Sequence, residues 1–171
     1  MRILTLIDVF SFDPMGGAGR VLFETARHLV RRGHAVTVIC RRRDDLAEDQ
    51  TVEGIRFRTY AASPTVFGRW LSSSRGPRRA VAALAAEGEG FDVLHTHHPH
   101  PFLAVRSSAA LEGVPCLYTF HSPWPEEVLQ SRRSVAWSPG VALRRVIERR
   151  AVRRARKINV LSAYMNSQVR R

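Results

Sequence analysis

Gly16, Gly17 and Gly19 separate an apolar run, Arg2 to Val9, from a segment of helical spacing that closes at Arg31-Arg32-Gly33-His34. A buried strand that runs through a glycine turn into a helix commits the chain to strand–crossover–strand architecture. The same turn bears on chemistry. Backbone N–H groups at a glycine-rich helix start approach a ligand closely, and the helix dipole favours an anion there. A phosphate-bearing ligand at the carboxyl edge of a parallel sheet is the first expectation.

The rest of the chain keeps the alternation. Ile3 to Ile7 and Ala35 to Cys40 are continuously apolar, as strands buried on both faces are. Leu22, Ala26, Leu29 and Val30 recur at helical spacing, and Gly33 supplies the stop. Arg41 to Glu53 reads as loop, Ile55 to Tyr60 as an edge strand, and Ala61 to Pro77 as a mobile Ser/Gly/Pro-rich loop. Arg78 to Ala86 reads as helix, Phe91 to His95 as strand, Phe102 to Leu111 as helix and Pro115 to Phe120 as strand. A long helix from about Val141 to Lys157, a strand at Ile158 to Leu161 and a helix capped by Ser162 complete the series. The fold class expected is α/β: Rossmann-like, doubly wound, with a mostly parallel sheet. Asp13 to Arg20, His95 to His100 and His121 to Trp124 then fall at the ligand-binding edge.

The chain of 171 residues carries a net charge of +12, and that charge is unevenly placed. Residues 1–130 hold 15 Arg against 14 Asp plus Glu, whereas residues 131–171 hold 12 Lys plus Arg against Glu148 alone. In the basic helix, Leu143, Ile147, Ala151 and Ala155 form a stripe at i+4 spacing, with Arg150 and Arg154 bordering it and Arg149 and Arg153 flanking or opposing it. A solvated face is one reading of Arg149, Arg150, Arg153 and Arg154; adsorption to an anionic membrane surface is the sharper one. Aromatic residues are not interleaved with the arginines, so no nucleic acid is expected. The opening residues do not form a signal peptide and no apolar run spans a bilayer, which points to a cytoplasmic chain, peripheral on the inner face of the plasma membrane if that helix meets lipid. Cys40 and Cys116 read as buried thiols.

Three segments carry candidate chemistry. The glycine turn departs from the dinucleotide pattern, because Leu22 stands where a third glycine would fall. Arg41-Arg42-Arg43 keeps an NADP reading open. His95 and His97 alternate to one side of a strand, but no acid or Cys nearby completes a ligand set, so no metal and no cofactor are expected, and His97 is expected to line a pocket. His121 directly follows a buried strand; substrate contact and a structural loop histidine remain alternatives on residues alone.

Taken together, Gly-Gly-Ala-Gly-Arg, Arg32-Gly33-His34-Ala35-Val36-Thr37-Val38, Phe91 to His97, Thr119-Phe120-His121 and Ile158 to Ser162 resemble the N-terminal domain of family 4 glycosyltransferases across essentially the whole chain. Ser11 to Pro14 looks like the same stretch of the phosphatidylinositol mannosyltransferase branch. The resemblance implies a GT-B fold in which residues 1–171 bind the acceptor and a second domain, absent from this sequence, grips the nucleotide-sugar donor. It implies retaining transfer of a hexose to a lipid or small polyol acceptor. Gly16, Gly17 and Gly19 would approach the donor diphosphate or the acceptor, Asp13 and Arg20 would contact polar acceptor groups, His97 would line the pocket, and His121 would face the transferred sugar. A separate polypeptide carrying the donor domain is one implied partner; without such a half the chain is expected to be inactive. A non-catalytic, membrane-surface module holding a phosphorylated ligand is the competing expectation.

Overall fold

The computed structural model describes residues 1–126, 129 and 139–170. The elements run β1 (Arg2–Val9), α1 (Gly17–Arg31), β2 (Ala35–Arg41), β3 (Asp49–Val52), β4 (Ile55–Tyr60), α2 (Val66–Ala86), β5 (Val93–Thr96), α3 (Pro99–Val105), a 3-10 turn (Ala109–Leu111), β6 (Cys116–Phe120), α4 (Pro139–Arg154), β7 (Lys157–Val160) and α5 (Ala163–Val169). Seven strands form one sheet in the order β3-β4-β2-β1-β5-β6-β7, and every pairing is parallel except β3 with β4. From β1 the chain winds one way through β2 to β4, then returns to place β5, β6 and β7 on the other side. The loops after β1 and β5 therefore diverge at a topological switch point, where such sheets open a crevice.

Alternation along the strands sorts the core into two layers. Ile3, Ile7, Val36, Val38, Ile55 and Phe57 face α1 through Leu22, Phe23 and Ala26. Leu4, Leu6, Ile39, Leu94, Tyr118 and Phe120 face α2, α3 and α4. In parallel register Thr5 pairs with His95 and His95 with Leu117, so His95, His97, Thr119 and His121 belong to the α1 face.

Several expectations are corrected. Arg41 to Glu53 is not all loop: β3 pairs with β4 through a hairpin whose central residues Glu53 and Gly54 both have positive φ (49° and 79°), the geometry of a two-residue primed turn. Ile55 to Tyr60 is consequently an interior strand, with β3 outside it. The polar β3 is held by charge: Asp49 meets Arg56 at 2.6 Å and Arg58 at 2.5 Å, and Glu87 at the end of α2 meets the same two arginines at 2.9 and 2.7 Å.

The segment Ala61 to Pro77 is mostly helix. Thr65 caps α2, its Oγ1 accepting from the Gly68 N–H at 3.1 Å, and the helix runs through Pro77. Small residues there serve close packing rather than mobility: Gly76 seats against the Tyr60 ring and buried Ser73 bonds across to β1. Phe102 to Leu111 splits into α3 and the 3-10 turn, and the last long helix runs Pro139–Arg154, ahead of a strand at Lys157–Val160. Its packed face is also shifted from the expected stripe. Val141 and Ala151 are buried, whereas Leu143 is 46% exposed.

Candidate functional site

The first turn of α1 is open. Gly16 sits at the N-cap with no side-chain cap bond, no acid stands in the first turn, and a Cβ at Gly16 or Gly17 would meet nothing within 4 Å. Arg20 N–H closes the turn on Gly16 O at 2.9 Å. The remaining amides lack protein partners among the described residues, and the dipole adds partial positive charge where they point. Gly19 differs from its neighbours: it is buried, and a Cβ there would make ordinary contact with Phe10 and Met15 at 3.5 and 3.6 Å, so this side of α1 lies against the loop.

That loop is held from below and from the side. Phe10 is buried and packs its ring against Phe12 and Phe57 at 5.0 Å each and Phe23 at 6.2 Å. Asp45 accepts from Phe12 N–H at 2.5 Å and Ser11 Oγ at 2.9 Å. Burial works to raise the Asp45 pKa, but these hydrogen bonds prevail and lower it, so the carboxylate is a fixed charge. Asp13 and Arg20 are exposed at the mouth of the turn, and neither side chain is in an ion pair among the described residues.

The histidines assemble on the same sheet face, at the ends of β5 and β6. His97 Nδ1 and His121 Nε2 lie 2.8 Å apart with their rings stacked at 5.1 Å, and His95 Nε2 lies 2.8 Å from Thr119 Oγ1. His97 is 2% exposed, and its Nε2 has no hydrogen-bond partner among the described residues. No hydrogen bond among the described residues joins this pair to the glycine turn; the two share an edge and a face. Burial pushes His95 and His121 down to about 4, with neighbouring imidazoles (His121 on His95, His98 on His121) adding to it, and His97 is lowered well below 6.5 for the same reasons. All three are neutral at pH 7. The pair can exchange one hydrogen bond in either direction and offer a donor or a lone pair to a ligand hydroxyl.

These shifts carry a stability prediction. Unfolded histidines bind protons below about pH 6.5, while in the folded chain His95 and His121 resist protonation until about pH 4 and His97 is lowered in the same direction. The unfolded state therefore holds more protons in that window, and stability is full above it and falls as pH drops through it. Urea unfolding between pH 7 and pH 4 is expected to lose about 1 kcal/mol per pH unit below about pH 6.5 through His95, with His97 and His121 acting in the same direction, and His95→Gln is expected to remove part of that slope.

Sequence reasoning missed the supports of this edge. Asp8, near the end of β1, accepts from Tyr60 OH at 3.2 Å and Ser73 Oγ at 3.1 Å, with Arg41 at 3.8 Å. Its own N–H donates to His98 Nδ1 at 2.9 Å, and His100 Nε2 lies 3.0 Å from Ser74 Oγ. A lone acid in an otherwise apolar strand was the available signal; its partners are remote in sequence. Asp45 gave no such signal, lying in a polar stretch.

The model of Glycosyltransferase Family 4 matches residues 15–171. The chain belongs to this family. No curated protein matches it by sequence. Among solved structures it is similar to sucrose-phosphate synthase from Thermosynechococcus elongatus at 15% identity and a TM-score of 0.78, with 99% of this chain and 44% of that one covered. It is also similar to HepE from Anabaena, solved with UDP and glucose (17% identity, TM-score 0.62, 99% and 40% covered), and to a ugt transferase from Siraitia grosvenorii, solved with UDP (18%, 0.60, 99% and 47%). The chain spans less than half the length of each of these three proteins. The fold is that of GT-B glycosyltransferases.

The other predicted groups of this family 4 chain are placed as follows. Cys40 and Cys116 are buried free thiols, each pushed up to about 12 chiefly by burial. No group of three or more metal-ligating side chains forms among the described residues, and no described helix is long and apolar enough to cross a membrane. Arg149, Arg150, Arg153 and Arg154 are all exposed, but they do not form one surface: Arg149 and Arg153 line a cleft against α5, while Arg150 and Arg154 do not.

Proposed function

We propose that this chain is the acceptor-binding half of a retaining glycosyltransferase that moves a hexose from a nucleotide-sugar to a lipid or small polyol acceptor. One observation carries the reading: the uncapped, open first turn of α1 stands at the switch-point edge, on the sheet face that also presents the His97–His121 pair. An anion rests against the amides of Gly17 to Gly19, brought close because Gly16 and Gly17 carry no side chain. Asp13 and Arg20, exposed at the mouth, bind polar acceptor groups. His121 faces the transferred sugar, and His97 behind it sets which nitrogen of His121 carries the proton. The UDP held by the Anabaena and Siraitia structures supports a nucleotide-sugar as donor.

Residues 1–171 act in this reading as one domain that needs a donor-binding half, in the same polypeptide or a separate one. Closure of two halves excludes water and aligns donor with acceptor. The test joins this chain to a family 4 donor domain and supplies a panel of nucleotide-sugars with lipid and polyol acceptors. Sugar transfer by the joined protein, absent from the chain alone and retaining the anomeric configuration by NMR, is the expected result. If no nucleotide-sugar in a broad panel is either transferred or hydrolysed, the reading fails.

A further inference from the structure

On the opposite face of β6 from His121 lies a second feature that glycosyl transfer does not account for. A cleft of about 450 Å³ opens between the β6 end, α4 and α5. Arg145, Arg149 and Arg153 enter it at four-residue spacing along one face of α4, about 6 Å apart in rise, and Arg170 enters from α5. Two acids, Glu126 and Glu148, share the lining, so its four arginines outnumber its carboxylates by two. Glu148 Oε2 accepts from the Trp124 N–H at 2.6 Å, and Glu126 Oε2 from Tyr164 OH at 3.3 Å. Arg145, Arg149 and Arg153 have no ion-pair partner among the described residues. Phe120 and Val152 wall the inner side.

The lining keeps a net positive charge in the absence of a ligand. Like charges one turn apart on a helix repel one another, and a cleft lined by one excess sign of charge attracts a counter-ion. A second cleft, between β4 and α2, also contains arginines, but there Arg42 meets Glu48 at 2.7 Å and Arg58 meets Glu87 at 2.7 Å, so much of its charge is already matched. What relieves the α4 cleft is a ligand bearing phosphate, whose oxygens take the two-pronged hydrogen bonds of guanidinium groups.

We infer that the cleft between α4 and α5 is a binding site for a phosphate-bearing ligand, held by Arg145, Arg149, Arg153 and Arg170. The same chemistry is presented by a soluble phosphoester and by a phospholipid headgroup. Site and control lie on one helix: Arg149 and Arg153 line the cleft, while Arg150 and Arg154, of equal charge, lie outside it. This inference is independent of sugar transfer, and its test reads binding alone.

The 171-residue chain is titrated with inorganic phosphate, with glycerol 3-phosphate, and with vesicles of phosphatidylcholine and phosphatidylglycerol at about three to one. The variant Arg149→Gln/Arg153→Gln is expected to weaken binding about tenfold or more, and Arg150→Gln/Arg154→Gln less than about twofold. Saturation by glycerol 3-phosphate identifies a soluble ligand; saturation by vesicles alone, with the same loss in the cleft variant, identifies a lipid headgroup. On the unaltered chain, the bound probe is expected to protect Arg149 and Arg153, but not Arg150 and Arg154, from an arginine-directed dicarbonyl reagent. Equal weakening by the two variants, equal protection of the two pairs, or no saturable binding of any probe overturns the inference.

Discussion

Gly17→Asp is expected to leave the fold as stable as before, or more so by up to about 1 kcal/mol, while sugar transfer by the complemented protein falls at least about a hundredfold. The two effects have opposite signs because they come from the same place. A Cβ at Gly17 meets nothing within 4 Å, and the residue is the first of α1, where a carboxylate complements the helix dipole. The same carboxylate stands where a ligand phosphate would rest. Two unit charges about 5 Å apart at an effective dielectric of about 20 repel by about 3 kcal/mol, which is more than a hundredfold in binding. Thermal melting and transfer rates check the two halves separately. Gly17→Ala, which adds bulk without charge, is expected to fall between. A variant that melts normally and transfers at the original rate would show that no anion binds at this turn.

Phe10→Ala is expected to cost about 3–5 kcal/mol, a large fraction of the 5–15 kcal/mol typical of a domain. The ring is 1% exposed and touches the rings of Phe12, Phe23 and Phe57, so its removal leaves a cavity beneath the loop that carries Asp13 to Gly16. Stability and site geometry are therefore coupled here, unlike at Gly17. The measurement is the urea midpoint at pH 7, with the slope unchanged if unfolding stays two-state. Phe10→Leu, which keeps much of the volume, is expected to recover more than half of the loss. A midpoint that barely moves in Phe10→Ala would mean that the aromatic cluster is not what holds the loop.

The parts of the fold that sequence reading recovered share one property. β1 and β2 carry apolar residues on both faces, and α1 repeats its apolar residues at helical spacing, so burial is written into each segment by itself. The parts that it misread depend on partners. α2 begins in a stretch rich in serine and glycine because Ser73 has Asp8 to bond and Gly76 has the Tyr60 ring to seat, and neither neighbour is close in the chain. β3 is polar and short; it becomes a strand because Arg56 and Arg58, from the next strand, hold Asp49.

At the candidate site the division is the same. Sequence alone determined that a glycine turn opens a helix at the sheet edge and that histidines follow two of the strands, since residue type and spacing suffice for both. Only tertiary structure decided that His97 bonds to His121 across 24 positions, that Asp45 pins the loop, that Gly19 turns inward, and that the basic residues of α4 divide between a cleft and an outer face. Local patterning encodes how much of a segment must leave water. Which side chain it meets there is settled by contacts between elements far apart in the chain, and no segment carries those alone.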